Sequence, residues 1–112
     1  MASVGFSEEE ARRKLKDIKI FKFPYRANGK ALTMDEREGY VKMIANSSNN
    51  QVVGIHIIGA HASNLIGEAS LALQKGCYAN DIAETIHAHP TLTEMVAEAA
   101  EGILGQPIHV LR

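Results

Sequence analysis

The sequence predicts an α+β domain in which helices pack on an antiparallel β-sheet. Three observations carry this. Residues 39–45 and 52–58 are apolar runs separated by the polar cluster Ser47-Ser48-Asn49-Asn50, the pattern of an antiparallel hairpin. The second half of the chain repeats its apolar residues at helical spacing, which strands do not do. Strand signals come before helix signals instead of alternating with them, which argues against a parallel βαβ sheet.

Each element follows from local chemistry. Ser7 and Glu10 have capping-box spacing, so a short helix is expected to start near Glu8 and to end before Ile18. Residues 18–23 bring Ile18, Ile20, Phe21 and Phe23 together and stop at Pro24, so they read as a strand. Residues 26–38 are polar, contain Asn28-Gly29, and are expected to be irregular with one helical turn. In the second hairpin strand, alternation places Val53, Ile55 and Ile57 on one face and Val52, His56 and Ile58 on the other. Both faces are largely apolar, so the hairpin is expected to be covered on both sides. Ser63 or Asn64 can cap a helix with the stripe Ile66, Ala69 and Leu73, ended by Gly76. Asp81 can cap a short helix carrying Ile82, Ala83 and Ile86. Pro90 and Thr91 open a last helix with Met95, Ala99, Gly102 and Ile103 on one face, stopped by Gly105 and Pro107.

Composition narrows the function classes. At 112 residues the chain fits one domain, 1–112. Its net charge of −1, with both signs interspersed, excludes the basic face of a nucleic-acid module. Arg12, Arg13, Lys14 and Lys16 follow Glu8, Glu9 and Glu10 and read as a solvated helix face. No apolar run approaches the ~18 residues of a membrane span. Residues 1–5 lack the basic and apolar segments of a signal peptide, so none is expected. Cys77 is the single cysteine; the chain cannot form its own disulfide, which suits a reducing compartment. It reads as a small buried hydrophobe.

The densest chemical segment is His87-Ala88-His89-Pro90-Thr91-Leu92-Thr93-Glu94. Spacing alone allows three readings. Thr91 and Glu94 have the spacing of a capping box, with Pro90 as a helix starter, and spacing favours this one. His87 and His89 could share a metal with His61 or His56, but a bare H-x-H with no further ligand at the usual spacing is a weak signal. Glu94, one turn into the helix, could orient His89 for acid–base work near neutral pH. His56 reads as a packed or hydrogen-bonded strand residue, and His61 and His109 as surface residues.

The segment H-A-H-P-T-L-T-E resembles the active-site segment of dihydrolipoyl dehydrogenases. The wider disulfide reductase family shares its core, H-P-T-x-x-E. The resemblance covers nearly the whole chain and its segments fall in order. Residues 2–5 with Ser7-Glu8-Glu9-Glu10-Ala11 are similar to the opening of the family's C-terminal dimerisation domain. Gly54-Ile55-His56-Ile57-Ile58-Gly59 resembles its central strand, and Asn80-Asp81-Ile82-Ala83 the approach to its active-site turn.

The resemblance implies the interface-domain fold of FAD- and NAD-linked disulfide reductases, working as a homodimer. It implies that His89 is the acid–base residue and that Glu94 orients it across the dimer. It further implies that the backbone at His89 and Pro90 approaches the partner subunit's FAD, with His87 and Thr91 as support. The implied reaction oxidises dihydrolipoyl groups on carrier proteins of 2-oxoacid dehydrogenase complexes. Electrons would pass through a cysteine pair and FAD to NAD, in bacterial cytoplasm or mitochondrial matrix. The chain has no G-x-G-x-x-G and no cysteine pair. It is therefore expected to be a fragment of a longer enzyme, inactive alone, with no bound FAD, NAD or metal. Two alternatives remain at this point: a sister disulfide reductase with another substrate, or a stand-alone dimerisation module. The small residues Ala97, Ala99, Ala100 and Gly102 on the last helix are expected to allow close helix contact at a dimer seam.

Overall fold

The computed structural model describes residues 1–34, 38–85 and 92–105. Four strands form one antiparallel sheet: β1 (Ala2–Gly5), β2 (Ile18–Pro24), β3 (Gly39–Asn46) and β4 (Val52–Gly59), in the order β1-β4-β3-β2. The helices are α1 (Glu8–Lys14), α2 (Gly29–Thr33), α3 (Ala62–Gln74), α4 (Ala79–Glu84) and α5 (Glu94–Leu104), with a 3-10 turn at Tyr25–Ala27. The α+β architecture is the predicted one. Where irregular chain with one helical turn was expected after Arg26, the structure has the 3-10 turn and α2. Asn28 anchors them: its Oδ1 accepts the Ala31 N–H at 2.9 Å.

The sheet has one covered face. α3 packs under β1 and β4, and α5 under β2 and β3. Register pairs Val41 with Ile57, Met43 with Ile55 and Ala45 with Val52. These six side chains therefore share a face, and all are buried. A bulge at Ile44/Ala45 makes this possible: the register passes from Gly54 to Val52, so Val53 is an extra residue. Simple alternation placed Val52 on the opposite face, and the bulge reverses that.

The opposite face is open, contrary to the expectation that both sides would be covered. Ile44 points that way and is buried, as is Ala11 on α1, but α1 shields only part of the sheet. Ser3, Tyr40, Lys42, His56 and Ile58 line a groove of ≈ 460 Å³ there. The His56 Nε2 donates to the Phe6 carbonyl at 2.8 Å, which ties β4 to the turn before α1.

The helices differ from expectation mainly at their starts. α1 has the predicted capping box: the Ser7 hydroxyl accepts the Glu10 N–H and the Glu10 carboxylate accepts the Ser7 N–H, both at 3.1 Å. α3 starts directly after His61, not after Ser63 or Asn64. Its buried stripe is Ala62, Leu65, Ala69 and Ala72, with Ile66 and Leu73 at the margin. It ends as predicted at Gly76. With φ +66, Gly76 donates to the Leu73 carbonyl while Cys77 donates to that of Ala72, a Schellman closure. Asp81 does not cap α4; it sits one turn in and accepts the Tyr78 N–H at 2.8 Å.

Three of the four small residues of α5 face inward, while Ala97 is only half-buried. Ala99 and Ala100 are fully buried within the chain, and Gly102 lies against the Phe21 ring. They bring α5 close to its own sheet, so they are not free for a dimer seam. Among the described residues no helix is long and apolar enough to cross a membrane.

Candidate functional site

The candidate site is built on the join between α4 and α5, which pack against each other. α4 closes at Thr85, whose N–H donates to the Ile82 carbonyl and whose Oγ1 donates to the Asp81 carbonyl. α5 takes over after a tight 3-10-like start, with Met95 N–H on the Leu92 carbonyl and Val96 N–H on the Thr93 carbonyl, both 3.1 Å. The helix thus opens at Glu94, later than the predicted start at Pro90 and Thr91. His87, His89, Pro90 and Thr91 lie outside the described residues.

Of the predicted site residues, Glu94 is the one the structure places. It is the first residue of α5 and half-buried. Its backbone is fixed by the packing that follows: Met95, Val96, Ala99, Ala100 and Ile103 are all fully buried. A carboxylate in the first turn also suits the positive end of the helix dipole. The segment 86–91 is therefore joined at both ends to helices anchored in the fold.

Beside Leu92 and Thr93 lies a hollow of ≈ 300 Å³ that no sequence pattern marks. Lys30, Met34, His61, Asn64 and Leu65 complete its wall. With Leu92 and Thr93 they come from three separate segments of the chain, so no spacing rule could collect them.

Metal and cofactor chemistry can be tested on the same residues. Among the described residues no three His, Cys, Asp or Glu side chains come together to hold a metal. FAD and NAD do not fit the described residues. Every strand pair among them is antiparallel, so the described residues hold no βαβ turn with a helix N-terminus to receive a pyrophosphate. Cys77 is half-buried beside the core.

The electrostatics of the open face centre on Glu8. Lys42 Nζ donates to Glu8 Oε1 at 2.8 Å, and Arg12 pairs with Oε2 at 3.0 Å. The hydrogen bond from Lys42, then that from Arg12, holds the Glu8 carboxyl below the usual carboxylate range. The Ser7 N–H, then its hydroxyl, lowers Glu10. A carboxylate lowered by folding adds stability above its unfolded pKa and loses it as pH falls through the folded one. Glu8 is 39% exposed, so screening limits the pair to about 0.5 kcal/mol. Melting temperature followed from pH 6 to pH 3 should therefore fall less in Glu8→Gln than in the parent chain; parallel curves would refute the assignment.

The comparisons with known proteins agree with this architecture. A family model for the pyridine nucleotide-disulphide oxidoreductase dimerisation domain matches residues 1–100. The dihydrolipoyl dehydrogenase of Bacillus subtilis (strain 168) is 48% identical over all 112 residues, which make up 24% of that protein. That of Thermus scotoductus is 44% identical over 110 residues, 98% of this chain and 24% of the relative. The chain thus spans about a quarter of the length of the curated relatives it matches. Among solved structures, LpdA from Mycobacterium tuberculosis superposes with a TM-score of 0.83 and 27% identity, over 89% of this chain and 22% of that one. The HOCl-induced flavoprotein disulfide reductase RclA from Escherichia coli shares the fold, with a TM-score of 0.83 at 22% identity over 88% of this chain and 23% of that one.

Proposed function

This chain belongs to the pyridine nucleotide-disulphide oxidoreductase dimerisation-domain family, and from that premise we propose that it is the C-terminal dimerisation domain of a dihydrolipoyl dehydrogenase. Its partner is a second copy of itself, and its catalytic contribution is His89 with Glu94. The observation that carries the reading is the identity to dihydrolipoyl dehydrogenases along the full chain, together with the intact H-P-T-x-x-E segment. The substrate is a dihydrolipoyl group on a carrier protein of a 2-oxoacid dehydrogenase complex. FAD, NAD and the cysteine pair belong to other domains of the longer protein, in keeping with an antiparallel sheet that offers them no cradle. The compartment is bacterial cytoplasm, or mitochondrial matrix in a eukaryote.

The proton chemistry belongs to this chain. His89 takes the proton of a substrate thiol, because the thiolate is the attacking form. The thiolate bonds to one sulfur of a disulfide held elsewhere in the enzyme and displaces the other as a thiolate. Glu94 stabilises the imidazolium that results and holds the ring in place. By resemblance, His87 and Thr91 would support His89, and the backbone of His89 and Pro90 would approach the partner subunit's FAD. Glu94→Gln in the full-length protein should lower kcat/KM by about tenfold and shift its lower apparent pKa downward, since a neutral amide no longer favours the charged imidazole. An unchanged pH profile would argue against the pairing.

A further inference from the structure

We infer that Lys19, a buried cation outside the candidate site, is a positioning residue for it: through Asn50 it ties the head of α4 to β2, the strand on which α5 packs. The role rests on the acid–base reading of His89 and Glu94.

The first observation is burial. Lys19 is 3% exposed. It pairs with Ala45 across β2 and β3, on the same helix-covered face as Phe21. Lysine is among the residues least often fully buried, and an ammonium taken out of water needs good partners to offset its desolvation. Among the described residues its Nζ has one, Asn50 Oδ1, at 2.8 Å. A methionine would fill the same space without that cost. Apolar packing therefore gives no reason for the charge, and the bond to Asn50 gives one.

The second is what Asn50 holds. It lies in the turn between β3 and β4 with φ +64, a left-handed conformation that asparagine tolerates better than most residues. Its backbone carbonyl accepts the N–H of Ala79, the first residue of α4, at 2.8 Å. Two further bonds join the same limb of the turn to the chain just before α4. The Val52 N–H donates to the Cys77 carbonyl and Gln51 Nε2 to that of Gly76, both at 3.1 Å. The near limb is tied toward β2 by its own backbone, with the Ser47 N–H on the Asp17 carbonyl at 3.1 Å. Lys19 does the same for the far limb, the one that carries α4.

The third is leverage. α4 has six residues, of which Ala79 and Ile82 are buried. Apolar contacts are non-directional, so two of them resist sliding and rotation weakly; hydrogen bonds set direction and length. α4 closes at Thr85, just before the segment 86–91, and Glu94 after it opens α5. β2 holds α5 through Phe21 against Gly102 and α4 through Lys19 and Asn50. Both ends of the segment are thus referred to one strand. A misplacement of about 1 Å between reacting groups can cost on the order of 10²-fold in rate, which gives a fixed spacing of the two helix ends its use.

The test compares Lys19→Met, Asn50→Gly and the two combined in the full-length protein. Glycine adopts φ +64 freely, so Asn50→Gly removes the side chain and leaves the turn. Lys19→Met should leave the melting temperature unchanged or raise it, because an apolar side chain of similar length replaces a buried ion. Hydrogen exchange by mass spectrometry should nevertheless be about tenfold faster over residues 79–85, the scale of one hydrogen bond to a charged group, and unchanged over β3 and β4. The kcat for a dihydrolipoyl substrate should fall about tenfold with KM within about twofold. The double variant should lose no more, as expected for two sides of one bond. Val4→Ala, which trims a side chain packed against the core from β1, controls for stability alone and should leave both readouts unchanged. Unchanged exchange over 79–85 in Lys19→Met would overturn the anchor whatever the kinetics, and so would additive losses in the double variant. Faster exchange with unchanged kcat would overturn the positioning role, as would a kcat loss that Val4→Ala reproduces. Near-normal turnover of His89→Gln would instead remove the acid–base reading, and with it the role of Lys19 in catalysis, while the exchange result still decides the anchor.

Discussion

His89→Gln in the full-length protein is expected to lower turnover by at least ~10²-fold with little change in stability. General acid–base groups contribute on the order of 10²–10⁴-fold, and glutamine keeps the polarity and approximate size of histidine while being unable to take a proton. The loss should be larger in kcat than in KM, because the missing interaction belongs to proton transfer and not to docking of the carrier. It should also exceed the loss from Glu94→Gln, since a neutral partner leaves the imidazole in place. Steady-state kinetics with a dihydrolipoyl substrate measure both. Near-normal turnover of His89→Gln would remove the acid–base reading; the capping box is no alternative, since α5 opens at Glu94 with Thr93 before it. A parent that turns over another disulfide and ignores the dihydrolipoyl group would keep the role of His89 and change the substrate.

The second large effect is expected at Gly102→Ala, far from the chemistry. In an exposed helix interior, glycine to alanine stabilises by about 1 kcal/mol. Here the sign should reverse. A Cβ on Gly102 would overlap Cγ and Cδ2 of Phe21, atoms near the root of that side chain that cannot swing aside. Phe21 packs against the core from β2, so the ring can yield only by disturbing its neighbours or by pushing α5 off the sheet. Overpacking of this kind costs on the order of 1–3 kcal/mol. Denaturant unfolding should show a net loss of about 1–2 kcal/mol. In a Phe21→Ala background the same change should be neutral or stabilising, the coupling expected of residues in direct contact. A stabilising Gly102→Ala in the parent chain would show that the close approach of α5 is not what the structure describes.

Most of the architecture was legible because its signals are local. The hairpin β3–β4, the capping box at Ser7 and Glu10 and the stop at Gly76 each rest on a few neighbouring residues. What was missed depends on tertiary contact. β1 is four residues, Ala-Ser-Val-Gly, with little strand propensity. It is a strand because β4 offers it an edge, with Ala2 opposite Ile57 and Val4 opposite Ile55. The bulge at Val53 moved Val52 to the other face, and no alternation rule detects one extra residue. The small residues of α5 were assigned to a dimer seam because sequence does not say which way a face of alanines points. At the candidate site, spacing could not separate a helix cap from an acid–base pair; the likeness to a family is what favours the pair as a proposal, and Glu94 at the head of α5 is the part that the structure places. The hollow at Lys30, His61 and Leu92 is assembled from distant segments and left no trace in the sequence.

The strand order has a kinetic consequence. The two central strands are joined by a short turn, whereas β1 must find β4 across some fifty intervening residues, as Ser3 does with His56. Closing a long loop carries an entropic cost that grows with its length, while a hairpin closes in microseconds. The hairpin is thus expected to form before β1 pairs with β4. Until β1 does, the outer edge of β4 is a row of unpaired donors and acceptors, open to any other strand that arrives first. Pairing with Ala2–Gly5 therefore closes an edge of β4 that would otherwise stand open to a foreign strand.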